Sequence, residues 1–261
     1  PTRPAPYDLQ GRDESMLIDY TPAIYQQALA VAEDGSLFNA LFDPPRTNDD
    51  PLGPAWNCPG GGGGVNITGP PVADPVQGVM YITSTGNCFR LQVEPGVTSN
   101  MDSDQQSGKT HSDWVASATT LGSMRGAIDG LPIWKGPAGR ITAIDMNTGE
   151  HLWMIPHGDA SQREQDMISN HPLLQGVQGV EVNRGRGGHS TMVASPTLLF
   201  ATGQTADGAW KLFAIDKATG ERVGTVDIPG SSRYGMSSWM HEGKQYIIIQ
   251  LNDGLAAMAL P

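Results

Sequence analysis

Apolar and polar positions alternate along most of the chain after residue 60, in short runs closed by Gly, Pro, Asn or Asp. A period of two is the signature of a half-buried strand. The runs GVMYITST (78–85), GRITAIDM (139–146), HLWMIP (151–156), TLLFATG (197–203), KLFAID (211–216), RVGTVDI (222–228) and QYIIIQL (245–251) are read as strands. They are rich in β-branched and aromatic residues, which fit a pleated sheet. One stretch near the start has helical spacing instead. Ile24, Ala28 and Val31 fall on one face of AIYQQALAVAED, with Thr21 as N-cap, Pro22 in the first turn and Gly35 as the stop. The residues before Asp19 are Pro-rich and polar, and DPPRTNDDPLGP after the helix suits neither helix nor strand. Residues 96–138 and 158–188 interrupt the strand rhythm and are read as long loop insertions on a strand scaffold. The expected division is an N-terminal extension with a short helix (1–55) and a strand region (56–261).

An internal repeat organises the strands. ITAIDMNTGEHLWMIP from Ile141 aligns without gaps at its centre with LFAIDKATGERVGTVDIP from Leu212. Ala143, Ile144, Asp145, Thr148, Gly149 and Glu150 match Ala214, Ile215, Asp216, Thr219, Gly220 and Glu221. The unit is a strand, a tight turn and a returning strand. Gly149 and Gly220 take the positive-φ position of the turn, and Asp145 and Asp216 accept from turn amides. Turn stabilisation, rather than catalysis, is the role assigned to both aspartates. The copies lie 71 residues apart, which suits one four-stranded unit plus an inserted loop.

Composition sharpens this picture. Only 16% of residues are charged, against 33 Gly and 20 Pro, which favours many turns between short strands over a helical bundle. A formal net charge of −11 argues against a nucleic-acid groove and is read as solubility. No apolar run approaches the roughly 20 residues of a spanning helix. The first residues carry no basic segment leading into an apolar stretch, so they do not read as a signal peptide. Cys58 and Cys88 match no zinc or haem spacing; they are either a disulfide or two buried thiols. The six histidines show no metal-ligand spacing, no GxSxG elbow is present, and the GGGGG run at 60–64 lacks the GK[ST] of a phosphate loop. Asn66-Ile67-Thr68 fits a glycosylation acceptor, a triplet that chance also produces.

The repeat and four further segments resemble the PQQ-dependent quinoprotein dehydrogenases of the glucose and alcohol type. The pattern A-x-D-x-x-T-G-x-x-x-W is that family's blade motif, whose tryptophan docks on the neighbouring blade. Trp153 holds that position in the first copy and Gly224 in the second. DLQGRDESMLIDYTPAIYQQAL, GGGGVNITGPPVADPVQGVMYITS, RGGHSTMVASPTLLFATG and EGKQYIIIQ resemble family segments in the same order. The resemblance implies an all-β fold: a partial β-propeller of about two blades plus a partial last blade, from an eight-bladed ring. It also implies pyrroloquinoline quinone (PQQ) as cofactor, with calcium or a lanthanide beside it. The chemistry implied is oxidation of an alcohol or sugar by hydride transfer to the quinone. Electrons then pass to a cytochrome or a membrane quinone.

The family's catalytic Asp and metal ligands precede the matched region, so no residue here is assigned to catalysis or metal binding. Asn66 matches an Asn that contacts the quinone edge, with turn capping as the competing role. Gly187 and Gly188 match a Gly pair that lets backbone approach the cofactor, or else simply open a strand. Asn252 and Asp253 fall where the family usually has a Gly-rich axial loop, and Asn252 is the fourth cofactor candidate. Ile67 departs from the family's Trp. A partial ring leaves an open edge and an apolar face in water. A second polypeptide supplying the remaining blades is therefore expected, in a periplasmic or other extracytoplasmic setting, with any membrane association through that partner. The competing reading is a non-catalytic propeller module for binding or assembly.

Overall fold

A computed structural model describes residues 5–8, 11–38, 43–47, 49–59, 64–65, 69–86, 88–95, 114–121, 128–186 and 190–259. It divides into two compact units. One comprises residues 1–8, 62–86 and 136–261; the other, residues 9–61 and 87–135. The chain leaves the first unit after Gly86 and re-enters it at Gly136.

Strands are numbered along the chain. The 9–61/87–135 unit holds β1 (Arg46–Thr47), β2 (Ala55–Asn57), β6 (Cys88–Pro95) and β7 (Trp114–Leu121). The larger unit holds β3 (Gly64–Val65), β4 (Val72–Asp74), β5 (Val79–Thr85), β8 (Gly139–Asp145) and β9 (His151–Pro156) in its first sheet. Its second sheet is β10 (Met192–Ala194), β11 (Leu198–Gln204), β12 (Trp210–Asp216) and β13 (Arg222–Asp227). The third is β14 (Ser232–His241), β15 (Lys244–Leu251) and β16 (Gly254–Ala259).

In the larger unit each sheet runs antiparallel in sequence order. β3 and β4 share one edge of β5, followed by β8 and β9. The expected strands are all present, and the outcome is the expected partial propeller: a five-stranded first blade in which β3 and β4 share one edge position, a four-stranded second blade and a three-stranded last one. Packing follows from alternation. Leu199, Ala201, Phe213 and Ile215 of the second blade meet Val79, Tyr81, Ile141 and Ala143 of the first. The intervening Phe200 and Leu212 point the other way, against Ile247, Ile249 and Leu251 of the third blade. The middle blade is thus buried on both faces. The irregularity in strand register recurs at the same repeat position, Ala143/Ile144 and Ala214/Ile215.

The repeat turns behave as the sequence predicts. Gly149 and Gly220 have φ of 72° and 76°. Asp145 accepts from the amides of Asn147 and Thr148, and Asp216 from those of Thr219 and Ala218. These bonds hold both carboxyls below the usual aspartate range. Trp153 docks as expected: its Nε1–H donates to the Lys217 carbonyl at 2.9 Å. A Cβ on Gly220 would come within 2.9 Å of the indole, so Gly220 serves both the turn and the dock. Lys217 itself is buried. Its ammonium donates to the Asp74 carboxylate of the first blade and to the Ser195 and Pro196 carbonyls. Asp74 Oδ1 meanwhile caps the amides of Val76 and Gln77. Every donor of the buried cation is satisfied, as burial demands.

The other unit carries helix α1 (Pro22–Asp34), opened by Thr21 and closed at Gly35 as expected. Ile24, Ala28 and Ala32 form its buried face, with Ala32 rather than Val31 fully covered. β6 pairs with β7 on one side and with β1 and β2 on the other. Cys58 and Cys88 form a disulfide, closing the alternative that the sequence left open. Leu17, Ile18, Leu131 and Ile133 are fully buried, and the Arg12 guanidinium lies 5.4 Å from the centroid of Trp134.

Two segments read as loop insertions contain regular structure. β7 lies within 96–138, where WVASATTL is too weakly apolar to announce a strand; it is registered along all eight residues of β6. Helix α2 (Gln162–Ser169) lies within 158–188, opened by Ser161, whose hydroxyl accepts from the Glu164 amide at 3.3 Å. No helix among the described residues is long and apolar enough to cross a membrane.

Lys217→Met is expected to destabilise the larger unit by about 3–5 kcal/mol, because Asp74 stays buried without its cation. Adding Asp74→Asn, which keeps the turn cap, should recover much of that loss in urea unfolding. The Lys217 contact holds the Asp74 carboxyl below its ordinary value, so the pair's stabilisation is present above about pH 4. It is lost as pH falls further. Cys58→Ser with Cys88→Ser should cost the other unit about 3–4 kcal/mol, from reopening a loop of 30 residues.

Candidate functional site

Antiparallel order brings the second-to-third-strand connections and the links between blades to the same end of each sheet. At that end lie Gly86, Gly139, His157, Gln204, Ser231 and the Asn252–Asp253 turn. The Asp74–Lys217 pair and the repeat turns occupy the other end. Of the predicted cofactor residues, Asn66, Gly187 and Gly188 lie outside the described residues. Asn252 sits in the two-residue turn between β15 and β16. Its amide nitrogen donates to the Ser231 hydroxyl at 2.5 Å and its backbone N–H to the Ser231 carbonyl at 3.2 Å.

Next to that turn runs a buried polar chain through all three blades. Ser232 Oγ, at the start of the third blade, is 2.8 Å from Thr191 Oγ1. Thr191 Oγ1 is 3.3 Å from Thr202 Oγ1, which also accepts from the Thr191 amide at 3.1 Å. The Thr202 carbonyl accepts from Ser190 Oγ at 2.9 Å and from His157 Nε2 at 2.8 Å. All five residues are at most 2% exposed. Such a network holds its members in one geometry, since any broken link leaves a polar group buried without water. Because Nε2–H donates to a carbonyl, Nδ1 is the unprotonated nitrogen, and it has no hydrogen-bond partner among the described residues. Burial holds this imidazole below the ordinary histidine range.

The same network sets the flanks of the loop returning from the first blade. The Arg186 amide donates to the His157 carbonyl at 3.0 Å, and the His157 amide to the Gly139 carbonyl at 2.8 Å. Gly185 has φ of 67°, and a Cβ there would strike the Gly139 carbonyl oxygen at 2.2 Å. Asn183 Oδ1 accepts from the amides of Ala160 and Gly185, and its Nδ2 donates to Asp159. Asp159 also takes two hydrogen bonds from Arg222, whose guanidinium stacks 3.9 Å from the Phe213 centroid. A cleft of about 290 Å³ opens beside this pair, floored by Ile155, Phe213 and Ile215. Glu181, near Arg184 and Arg140, is held above the usual range by burial.

This end positions backbone and hydroxyls; among the described residues it shows no nucleophile with an adjacent base. No group of three or more His, Cys, Asp or Glu is placed to hold a metal ion among the described residues. Sequence reasoning did not single out His157, Ser190, Thr191, Thr202 or Ser232. The available signal was faint: a polar residue at the end of a strand whose inward neighbours are apolar.

The chain matches the family described as "PQQ: Glucose/ethanol/alcohol dehydrogenase, beta-propeller domain" over residues 1–247. No curated protein sequence matches it significantly. Among solved structures it is similar to the quinohemoprotein alcohol dehydrogenase from Comamonas testosteroni, at 18% identity and a TM-score of 0.41. That alignment covers 72% of this chain and 22% of the other. A europium-containing methanol dehydrogenase aligns at 14% identity and a TM-score of 0.44, over 72% of this chain and 25% of the other. BamB from Moraxella catarrhalis aligns at 14% identity and a TM-score of 0.28, over 74% and 43%. The chain spans about a quarter of the length of the two dehydrogenases. With the family matched along nearly its whole length and the blades in place, the chain belongs to the PQQ-type glucose/ethanol/alcohol dehydrogenase β-propeller family.

Proposed function

We propose that this chain is the C-terminal portion of a PQQ-dependent dehydrogenase that oxidises an alcohol or sugar, working in the periplasm. The family match over residues 1–247, with two whole blades and part of a third, carries this reading. The disulfide supports an oxidising compartment. In this reading PQQ supplies the hydride acceptor, calcium or a lanthanide accompanies it, and a cytochrome or membrane quinone takes the electrons.

The described residues do not by themselves form a pocket for either group. The Asn252 amide nitrogen is engaged by Ser231, and the buried hydroxyls are engaged by one another. Asn66, Gly187, Gly188 and Asn252 remain the proposed contacts of this chain with the quinone, and the catalytic and metal-binding groups belong to the rest of the ring.

The third blade supports a partner. Ile247, Ile249 and Leu251 face the second blade, so Tyr246 and Ile248 alternate onto the opposite face. There Trp239 pairs with Tyr246 and stacks on it at 5.2 Å, and Leu255 is 71% exposed. We propose that blades from a second polypeptide cover this face. A different reading, a non-catalytic module for binding or assembly, is favoured by the absence of an acid–base pair among the described residues.

Mixing the chain with the polypeptide that supplies the missing blades, PQQ and calcium should give quinone absorbance and alcohol- or sugar-dependent dye reduction. A complete assembly with neither signal would leave the binding-module reading. Trp239→Glu should weaken the association at least tenfold in a titration while leaving the helical and strand content of the free chain unchanged.

A further inference from the structure

His157 stands at the junction of the first two blades, at 2% exposure. Its Nε2–H is spent on the Thr202 carbonyl, and its Nδ1 lone pair has no donor among the described residues. Glycines enclose it: a Cβ on Gly203 would approach Nε2 to 3.3 Å, and one on Gly185 would approach the His157 amide nitrogen to 3.0 Å. Nδ1 is itself buried, so a proton arriving there is not met by bulk water. A second proton would sit on Nδ1, with a full charge, buried, and with no acceptor among the described residues, which is costly in a packed interior.

Among the described residues the surrounding elements offer no acceptor for that proton. The first blade's own end brings Asp159, already held by Arg222 and Asn183. The returning loop brings Arg184 and Arg186, together with Glu181, which faces Arg184 and Arg140; β13 brings Arg222, whose charge opposes an imidazolium. β11 brings Thr202, Gly203 and Gln204, none of them charged. The ring can therefore take up a proton only where the seam opens to solvent.

We propose that His157 makes the seam between the first and second blades an acid-sensitive latch, closed while the imidazole is neutral and opened by its protonation. Opening frees the Thr202 carbonyl shared with Ser190 and the His157 carbonyl that holds the Arg186 amide, so both ends of the returning loop are released together. The latch belongs to the blade packing and holds whether or not the protein is a dehydrogenase.

The direction follows from proton counting. The unfolded or opened chain binds a proton near pH 6.5, whereas the closed one does so only at lower pH. Stability from this group is fully present above about pH 6.5 and is lost as pH falls below it. Urea unfolding of the full chain at a series of pH values between 7.5 and 5.5 tests this. The folding constant should fall by up to about tenfold per pH unit more steeply for the wild type than for His157→Gln, whose amide still reaches Thr202. His241→Gln, at an exposed histidine, should keep the wild-type profile. Parallel profiles for the wild type and His157→Gln would overturn the proposal. Should His157→Gln fail to fold, imidazole NMR of the wild type decides. A neutral Nε2–H tautomer persisting at pH 5.5 in the folded protein supports the latch. Titration of the folded state centred near 6.5 refutes it.

Discussion

The middle sheet of the blade unit is apolar on both faces, and this requires a neighbour on each side. Phe200 and Phe213 belong to adjacent strands of one sheet, yet they fill different cores, one shared with the third blade and one with the first. A sheet of this kind cannot stop in water, and burial of apolar area, roughly 25 cal/mol per Å², drives the stacking. The second blade meets this demand with the first blade on one face and the third on the other. The third presents Trp239, Tyr246 and Leu255 on the side away from its neighbour.

Apolar stacking does not choose a register, and polar contacts at the two ends supply that choice. At one end Trp153 reaches the Lys217 carbonyl while the Lys217 ammonium reaches Asp74, so one turn of the second blade receives the first blade through both backbone and side chain. At the other end His157, Thr202, Thr191 and Ser232 run through three blades in one hydrogen-bonded chain. Both devices are buried, so a shift of either blade would strand polar groups without partners. That second end inherits its geometry from this bracing: Arg186, Ser190 and the Asn252 turn each rest on a member of the chain or its immediate neighbour.

Much of this was legible in the sequence where a local rule acts alone. The two Ala-Ile-Asp…Thr-Gly copies specify a turn through one side chain and one glycine, and both turns form as read. Thr21, Pro22 and Gly35 bound α1 for the same reason. Helix α2 carried a legible signal too, the Ser161-x-x-Glu164 spacing of a capping box, obscured by the Gly-rich stretch after it. β7 and β14 were not legible, because WVASATTL and SRYGMSSWMH owe their strand conformation to partners distant in sequence. The polar chain linking His157 to Ser232 lies beyond local reading altogether: Thr191 and Ser232 are 41 residues apart and meet only once two blades have stacked. The pairing of Cys58 with Cys88 likewise depends on β2 lying beside β6.

The account rests on a wall of blades too short to close upon itself. Sedimentation velocity of the isolated chain over a wide concentration range tests this most directly. Concentration-dependent association, suppressed when complementary blades are added and replaced by a single defined complex, is the predicted behaviour. A monomer at every concentration, unfolding in one sharp transition and indifferent to added blades, would contradict it.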